Sequence, residues 1–285
     1  MKTDISKETT SRAEGRVDLQ KQYVHTIRYG PHADQEADLH LPGAARPPVV
    51  CLLHGGFWRM PYGRDQMTAI ADDLASHGFA VWNLEYRRLG NGRAGWPAIL
   101  DDVSAGVDYL ARLTDGIAEL DLDRVVVVGH SAGGHLAFCE AGRRRSRGCE
   151  AGRVRLRAAV GLAPITDLAL AYDSRIGGEI VAELIGGSPG RYPERYRIAS
   201  PAEMLPLGVR QLILHGNADN AVPIDFSRKY ASAAAASGDP VQLIELPGTG
   251  HMEYLDPGSG AHATLRSWLM TFLCGTGSTA GDTGK

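Results

Sequence analysis

Short apolar, β-branched runs alternate with longer amphipathic ones along most of this 285-residue chain, and no other feature constrains its fold as strongly. A strand followed by a helix of ten or more residues is the connection that parallel strands require. Pro48-Val-Val-Cys-Leu-Leu-His54 and Arg124-Val-Val-Val-Val128 are continuous apolar runs, as expected of strands covered on both faces. Helical patterns occupy residues 65–76, 96–113, 131–143, 224–237 and 262–273, with further strand patterns at 79–86, 156–162, 209–215 and 241–246. An opening hairpin is expected from 23–29 and 36–41, which alternate in hydropathy across a polar turn. The pattern predicts an α/β fold with a mostly parallel central sheet and helices on both faces. No Pro/Gly/Ser-rich linker splits it, so residues 21–274 read as a single domain.

One stretch breaks the rhythm. Residues 167–205 lie between two core strands and contain Gly177-Gly178, Gly186-Gly187, several prolines and only short helical patterns. A connection of that length is expected to form a small cap or lid insertion at the carboxyl ends of the strands. The ends, 1–20 and 275–285, are polar and read as disordered tails.

Composition narrows the class. Apolar residues make up 44% and charged residues 22%, with a net charge of -3, so no polybasic surface points to nucleic acid or to a membrane. The N-terminus lacks the apolar core of a secretory signal, and no apolar run is long enough to span a bilayer. A cytoplasmic protein is expected, and a homodimer is compatible with the sequence. The four cysteines, Cys51, Cys139, Cys149 and Cys274, have no CxxC spacing and read as free thiols, buried except for Cys149 in a polar loop.

Chemistry concentrates at three places. Gly129-His130-Ser131-Ala132-Gly133 follows a strand and opens a helix. A serine on so tight a turn is forced into a strained backbone conformation, and small residues on either side let strand and helix pass; its hydroxyl is lifted clear of the sheet. His54-Gly55-Gly56-Phe57-Trp58 ends an earlier buried strand. Its glycines leave backbone N–H groups unobstructed and, with the N–H of Ala132, suit an oxyanion hole. A serine hydroxyl also needs a base. His251 follows the last strand and Asp219 the one before it, and the chain order Ser, Asp, His accompanies serines on strand-to-helix turns. Asp167 is the alternative acid. Trp58 and His130 flank the turn and the serine and are the residues expected to touch substrate. No HExxH, EF-hand, P-loop or dinucleotide fingerprint is present, and neither metal nor organic cofactor is expected.

These motifs resemble the esterase and kynurenine formamidase branch of the α/β-hydrolase family, over about residues 23–273; Ala199-Ser-Pro201 adds to the likeness. The resemblance implies an α/β-hydrolase fold, oxyanion donors at the N–H groups of Gly56 and Phe57, and a serine hydrolase acting on a small-acyl carboxylic ester or an aryl formamide. Three readings follow: a general carboxylesterase, an N-formylkynurenine formamidase of tryptophan catabolism, and an inactive hydrolase fold serving as a receptor. The intact Ser131, Asp219 and His251 argue against the last.

Overall fold

The computed structural model describes residues 23–90, 94–147 and 153–275. The tails expected to be disordered lie almost entirely outside these residues, as does Cys149. Eight strands form one sheet: β1 (Tyr23–Arg28), β2 (Glu36–Leu41), β3 (Pro48–Leu53), β4 (Ala80–Leu84), β5 (Asp121–His130), β6 (Leu156–Leu162), β7 (Arg210–Gly216) and β8 (Val241–Leu246). Their spatial order is β1-β2-β4-β3-β5-β6-β7-β8. The β1–β2 and β2–β4 pairings are antiparallel, and all the others are parallel. The helices are α1 (Thr68–Ser76), α2 (Ala98–Leu113), α3 (Ala132–Ser146), α4 (Leu168–Asp173), α5 (Ile180–Ile185), α6 (Pro193–Ala199), α7 (Asp225–Ala236) and α8 (Gly260–Leu269).

The central strands show why apolar runs without alternation build this sheet. In β3, Val49, Cys51 and Leu53 face one core while Val50 and Leu52 face the other. Strand β5 repeats this, with Val125 and Val127 on one side and Val126 and Val128 on the opposite side. The first core is closed by Val103, Val107 and Leu110 of α2 and Leu136 of α3, and the second by Ile70 and Leu74 of α1 and Leu265 and Leu269 of α8. Strand β5 begins at Asp121, three residues before its apolar run, because the half-exposed Asp121–Arg124 entry pairs with Pro48 while meeting solvent.

Strand order also fixes where a ligand can bind. The chain moves from β3 outward to β4, then returns to place β5 on the other flank of β3. That reversal opens a crevice at the carboxyl ends of β3 and β5. Leu53 pairs with Gly129 there, so the turns that leave the two strands face each other. Cys51 and Cys139 are buried free thiols as expected, but Cys274 is exposed: it ends the closing helical turn, where the apolar stripe has run out.

Candidate active site

Strand β5 runs into α3 with no intervening loop, and Ser131 absorbs the change of direction at φ 55° and ψ -116°. Residues with side chains rarely occupy that region. The turn closes this tightly only because of its glycines: a Cβ on Gly129 would lie 2.0 Å from the Gly133 carbonyl oxygen, and one on Gly133 2.0 Å from that of Leu53. The Ser131 N–H donates to the Leu162 carbonyl at 2.8 Å, locking the turn to β6.

Three side chains from three different strand ends converge. Ser131 Oγ lies 3.0 Å from His251 Nε2, and His251 Nδ1 lies 2.7 Å from Asp219 Oδ2. The other carboxylate oxygen of Asp219 accepts the N–H groups of Ala221 at 2.8 Å and Val222 at 2.9 Å. Burial alone would raise the carboxyl's pKa, but hydrogen bonds from His215, His251 and the Val222 N–H outweigh it and hold the group well below the ordinary aspartate range. The site thus presents a permanent carboxylate to one side of an imidazole whose other nitrogen reaches a hydroxyl. Asp167 is elsewhere: its carboxylate accepts the Leu170 N–H at 2.9 Å and caps α4.

The turn after β3 is held from below. The His54 ring stacks on Tyr86 at 4.2 Å, and its two nitrogens face Glu85 Oε1 and the Gly55 carbonyl, each at 2.7 Å. The Tyr86 hydroxyl donates to the His54 carbonyl at 2.7 Å. Burial tends to raise the Glu85 pKa, yet the His54 bond and the neighbouring positive charge leave it lowered. Glu85 was not singled out from sequence; its signal was a carboxylate at the end of an otherwise apolar strand. Beside it, Arg87 forks onto Asp102 of α2 at 2.6 and 2.7 Å, a structural bridge.

Beyond His54 the backbone is left-handed at three successive residues: Gly56 (φ 97°), Phe57 (φ 53°) and Trp58 (φ 57°). Ala132 opens α3, so its N–H precedes the first helical bond, from His135 N–H to the Ser131 carbonyl. Phe57 is half-buried, and its ring rests on the 167–205 segment, where a Cβ on Gly177 would fall 2.7 Å from its Cδ1. Arg59 pairs with Glu183 of the same segment at 3.2 Å, and the Trp96 N–H donates to the Leu184 carbonyl at 2.8 Å.

The two residues expected to touch substrate are both buried. Trp58 is fully buried, and its indole N–H donates to His135 Nδ1 at 3.2 Å. The left-handed turn at Phe57 and Trp58 carries the indole into the first core, against His135 of α3. His130 is only 2% exposed, and its Nε2–H donates to the His251 carbonyl at 2.7 Å. Burial, chiefly, pushes its pKa down to about 3, so the ring is neutral.

A hydroxyl on a strand-to-helix turn, above a mostly parallel sheet and at the reversal of strand order, defines the α/β-hydrolase class. Residues 37–233 match the BD-FAE family model, and the chain belongs to that family of α/β-hydrolase esterases. It is 28% identical over 270 residues to LipM of Mycobacterium tuberculosis, a probable carboxylic ester hydrolase, covering 87% of this chain and 61% of that one. It is 25% identical over 261 residues to a probable isoprenylcysteine alpha-carbonyl methylesterase of Oryza sativa, covering 86% and 62%. The chain thus spans about three fifths of the length of these two relatives. Among solved structures, esterase B from Lactobacillus rhamnosis shares the fold with a TM-score of 0.75 at 21% identity, over 91% of this chain and 87% of that one. Among the described residues no helix is long and apolar enough to cross a membrane.

Proposed function

We propose that this chain is a serine carboxylesterase that cleaves small-acyl esters through an acyl-enzyme. One observation carries the reading: the unbroken hydrogen-bonded series from Ser131 Oγ through His251 to Asp219, at 3.0 and 2.7 Å. Ser131 attacks the ester carbonyl carbon while His251 Nε2 takes the hydroxyl proton, and Asp219 holds the imidazole tautomer and steadies the imidazolium. The N–H groups of Gly56, Phe57 and Ala132 receive the oxyanion, in the geometry that left-handed backbone and a helix start make available. His251 returns its proton to the departing alcohol, and water, deprotonated by His251, releases the acid.

The curated relatives named as ester hydrolases support an ester as substrate. Trp58 is fully buried and offers no flat face to an aromatic leaving group, and Phe57 beside it is half-buried and rests on the 167–205 segment. The test is a series of p-nitrophenyl esters from acetate to octanoate beside N-formylkynurenine. Acetate and propionate are expected to give the highest kcat/KM, falling steeply with chain length. A formylkynurenine kcat/KM above that of every ester would reassign the chain to formamide hydrolysis, and octanoate matching acetate would show an open acyl pocket.

A further inference from the structure

The proposed base, His251, stands on the short connection between β8 and a single helical turn at Glu253–Leu255. Strand β8 is a partly exposed edge strand, and the residues after it include Gly248 and Gly250 on either side of Thr249, immediately before His251. Glycine in such a loop widens the conformations open to the unbound backbone. Asp219 holds the His251 side chain at Nδ1, and the Ala218 N–H donates to the Thr249 carbonyl at 3.0 Å. The backbone bonds on either side of His251 are exposed: the Gly250 N–H donates to Glu253 Oε1 at 3.0 Å, and the Met252 N–H to Glu253 Oε2 at 3.1 Å. The His251 carbonyl is different. It accepts from the Nε2–H of His130, a ring buried at 2% exposure, at 2.7 Å.

The other nitrogen of that ring is held by packing alone. His130 Nδ1 is buried with no hydrogen-bond partner among the described residues, and it lies against Gly55, where a Cβ would sit 2.9 Å away. The imidazole is therefore a single neutral tautomer, with its proton on Nε2, wedged between the oxyanion turn and the loop of the base. Its ring centroid lies 4.7 Å from that of His251. Because His130 immediately precedes Ser131, one residue mechanically joins the nucleophile's turn to the base's own backbone.

We infer that His130 is a positioning residue: its Nε2–H···O=C bond sets the distance between His251 Nε2 and Ser131 Oγ. The inference rests on the serine-hydrolase reading proposed above. A buried donor at this height holds the base to the tolerance that proton transfer requires, where errors of the order of 1 Å cost about a hundredfold in rate.

The experiment compares His130→Leu, His130→Asn and His130→Gln with wild type and Ser131→Ala in p-nitrophenyl acetate hydrolysis, with circular dichroism and thermal melting to check folding. A glutamine amide nitrogen extends about as far as imidazole Nε2, whereas an asparagine nitrogen stops near Nδ1. His130→Leu and His130→Asn are expected to lose about ten- to a hundredfold in kcat with KM within about twofold, and His130→Gln to recover most of the loss. Should the leucine variant not fold, the glutamine and asparagine pair carries the comparison. Equal kcat in those two, or a leucine variant at the wild-type rate, would overturn the inference while Ser131→Ala remained inactive. Full activity in Ser131→Ala would instead strike the hydrolase reading itself.

Discussion

The indole of Trp58 and the imidazole of His135 meet edge to face, with centroids 5.2 Å apart and an N–H···N bond of 3.2 Å. His135 Nε2–H then donates to the Ala199 carbonyl at 2.7 Å. A buried polar series thus runs from the turn after β3, through the helix behind Ser131, to the end of the 167–205 segment. In Trp58→Phe, His135 Nδ1 loses its donor, and a buried unsatisfied acceptor costs about 1–3 kcal/mol. Urea unfolding is expected to show a loss of that size, while relative kcat/KM for acetate and butyrate stays unchanged. A shift in chain-length preference without loss of stability would place the indole in the substrate's path after all.

The roles assigned at Ser131 and Asp219 separate from structural ones by stability. Ser131→Ala is expected to lower kcat by about three decades or more, and Asp219→Asn by about two to four. Ser131→Gly should be equally inactive yet more stable by roughly 1 kcal/mol, because glycine relieves the strain at φ 55°. Asp167→Asn should leave kcat near wild type, since Asp167 only caps α4. Calorimetry and steady-state kinetics on the four variants check all of this; a crippled Asp167→Asn beside a mild Asp219→Asn would exchange the two aspartates.

Gly177 and Gly178 supply a matched pair. Both are left-handed, at φ 67° and 76°, but a Cβ on Gly177 strikes the Phe57 ring whereas one on Gly178 meets nothing within 4 Å. Alanine at either carries the same backbone penalty, about 1 kcal/mol. Only Gly177→Ala is expected to displace Phe57 and change the acyl-chain profile. Identical profiles from the two variants would show that the 167–205 segment does not set selectivity through this contact.

Stability should fall on acidification. Burial pushes the pKa of His130 down to about 3 and that of His135 to about 4, from an ordinary 6.5. The folded protein holds both rings neutral, so below about pH 6.5 the unfolded chain binds more protons. Each ring then removes about 1.4 kcal/mol of stability per pH unit until its folded pKa is reached. Urea midpoints between pH 6.5 and 4.5 measure the slope, which should be shallower in His130→Gln by about one proton's worth. An unchanged slope would mean that His130 is protonated in the native state.

The parts of the site that follow from strand order were legible in the sequence. Ser131 and Asp219 follow strands with continuous apolar runs and His251 follows the strand-like Val241–Leu246, and residues at the carboxyl ends of neighbouring parallel strands share one side of the sheet. The directions of side chains within turns were not legible. Nothing in His54-Gly-Gly-Phe-Trp58 reveals that three left-handed residues in succession bury Trp58 and leave Phe57 half-buried against Gly177. His130 was obscure for a related reason: its position beside Ser131 suggested a substrate contact, whereas its ring is buried and its Nε2–H bonds the His251 carbonyl, a partner 121 residues away. Glu85 had no local motif, and its part depends on a ring 31 positions away.

Among the described residues strand β8 pairs only with β7, and His251, the proposed base, lies just beyond it, 120 residues from Ser131. Contacts of such sequence separation form late, because loop closure must be offset by interactions that exist only once the rest of the sheet is in place. A refolding chain can therefore assemble β3, β5, α3 and most of its secondary structure while remaining catalytically silent. Recovery of ester hydrolysis after dilution from urea then times one event, the docking of the final strand, and lags behind the recovery of helical dichroism.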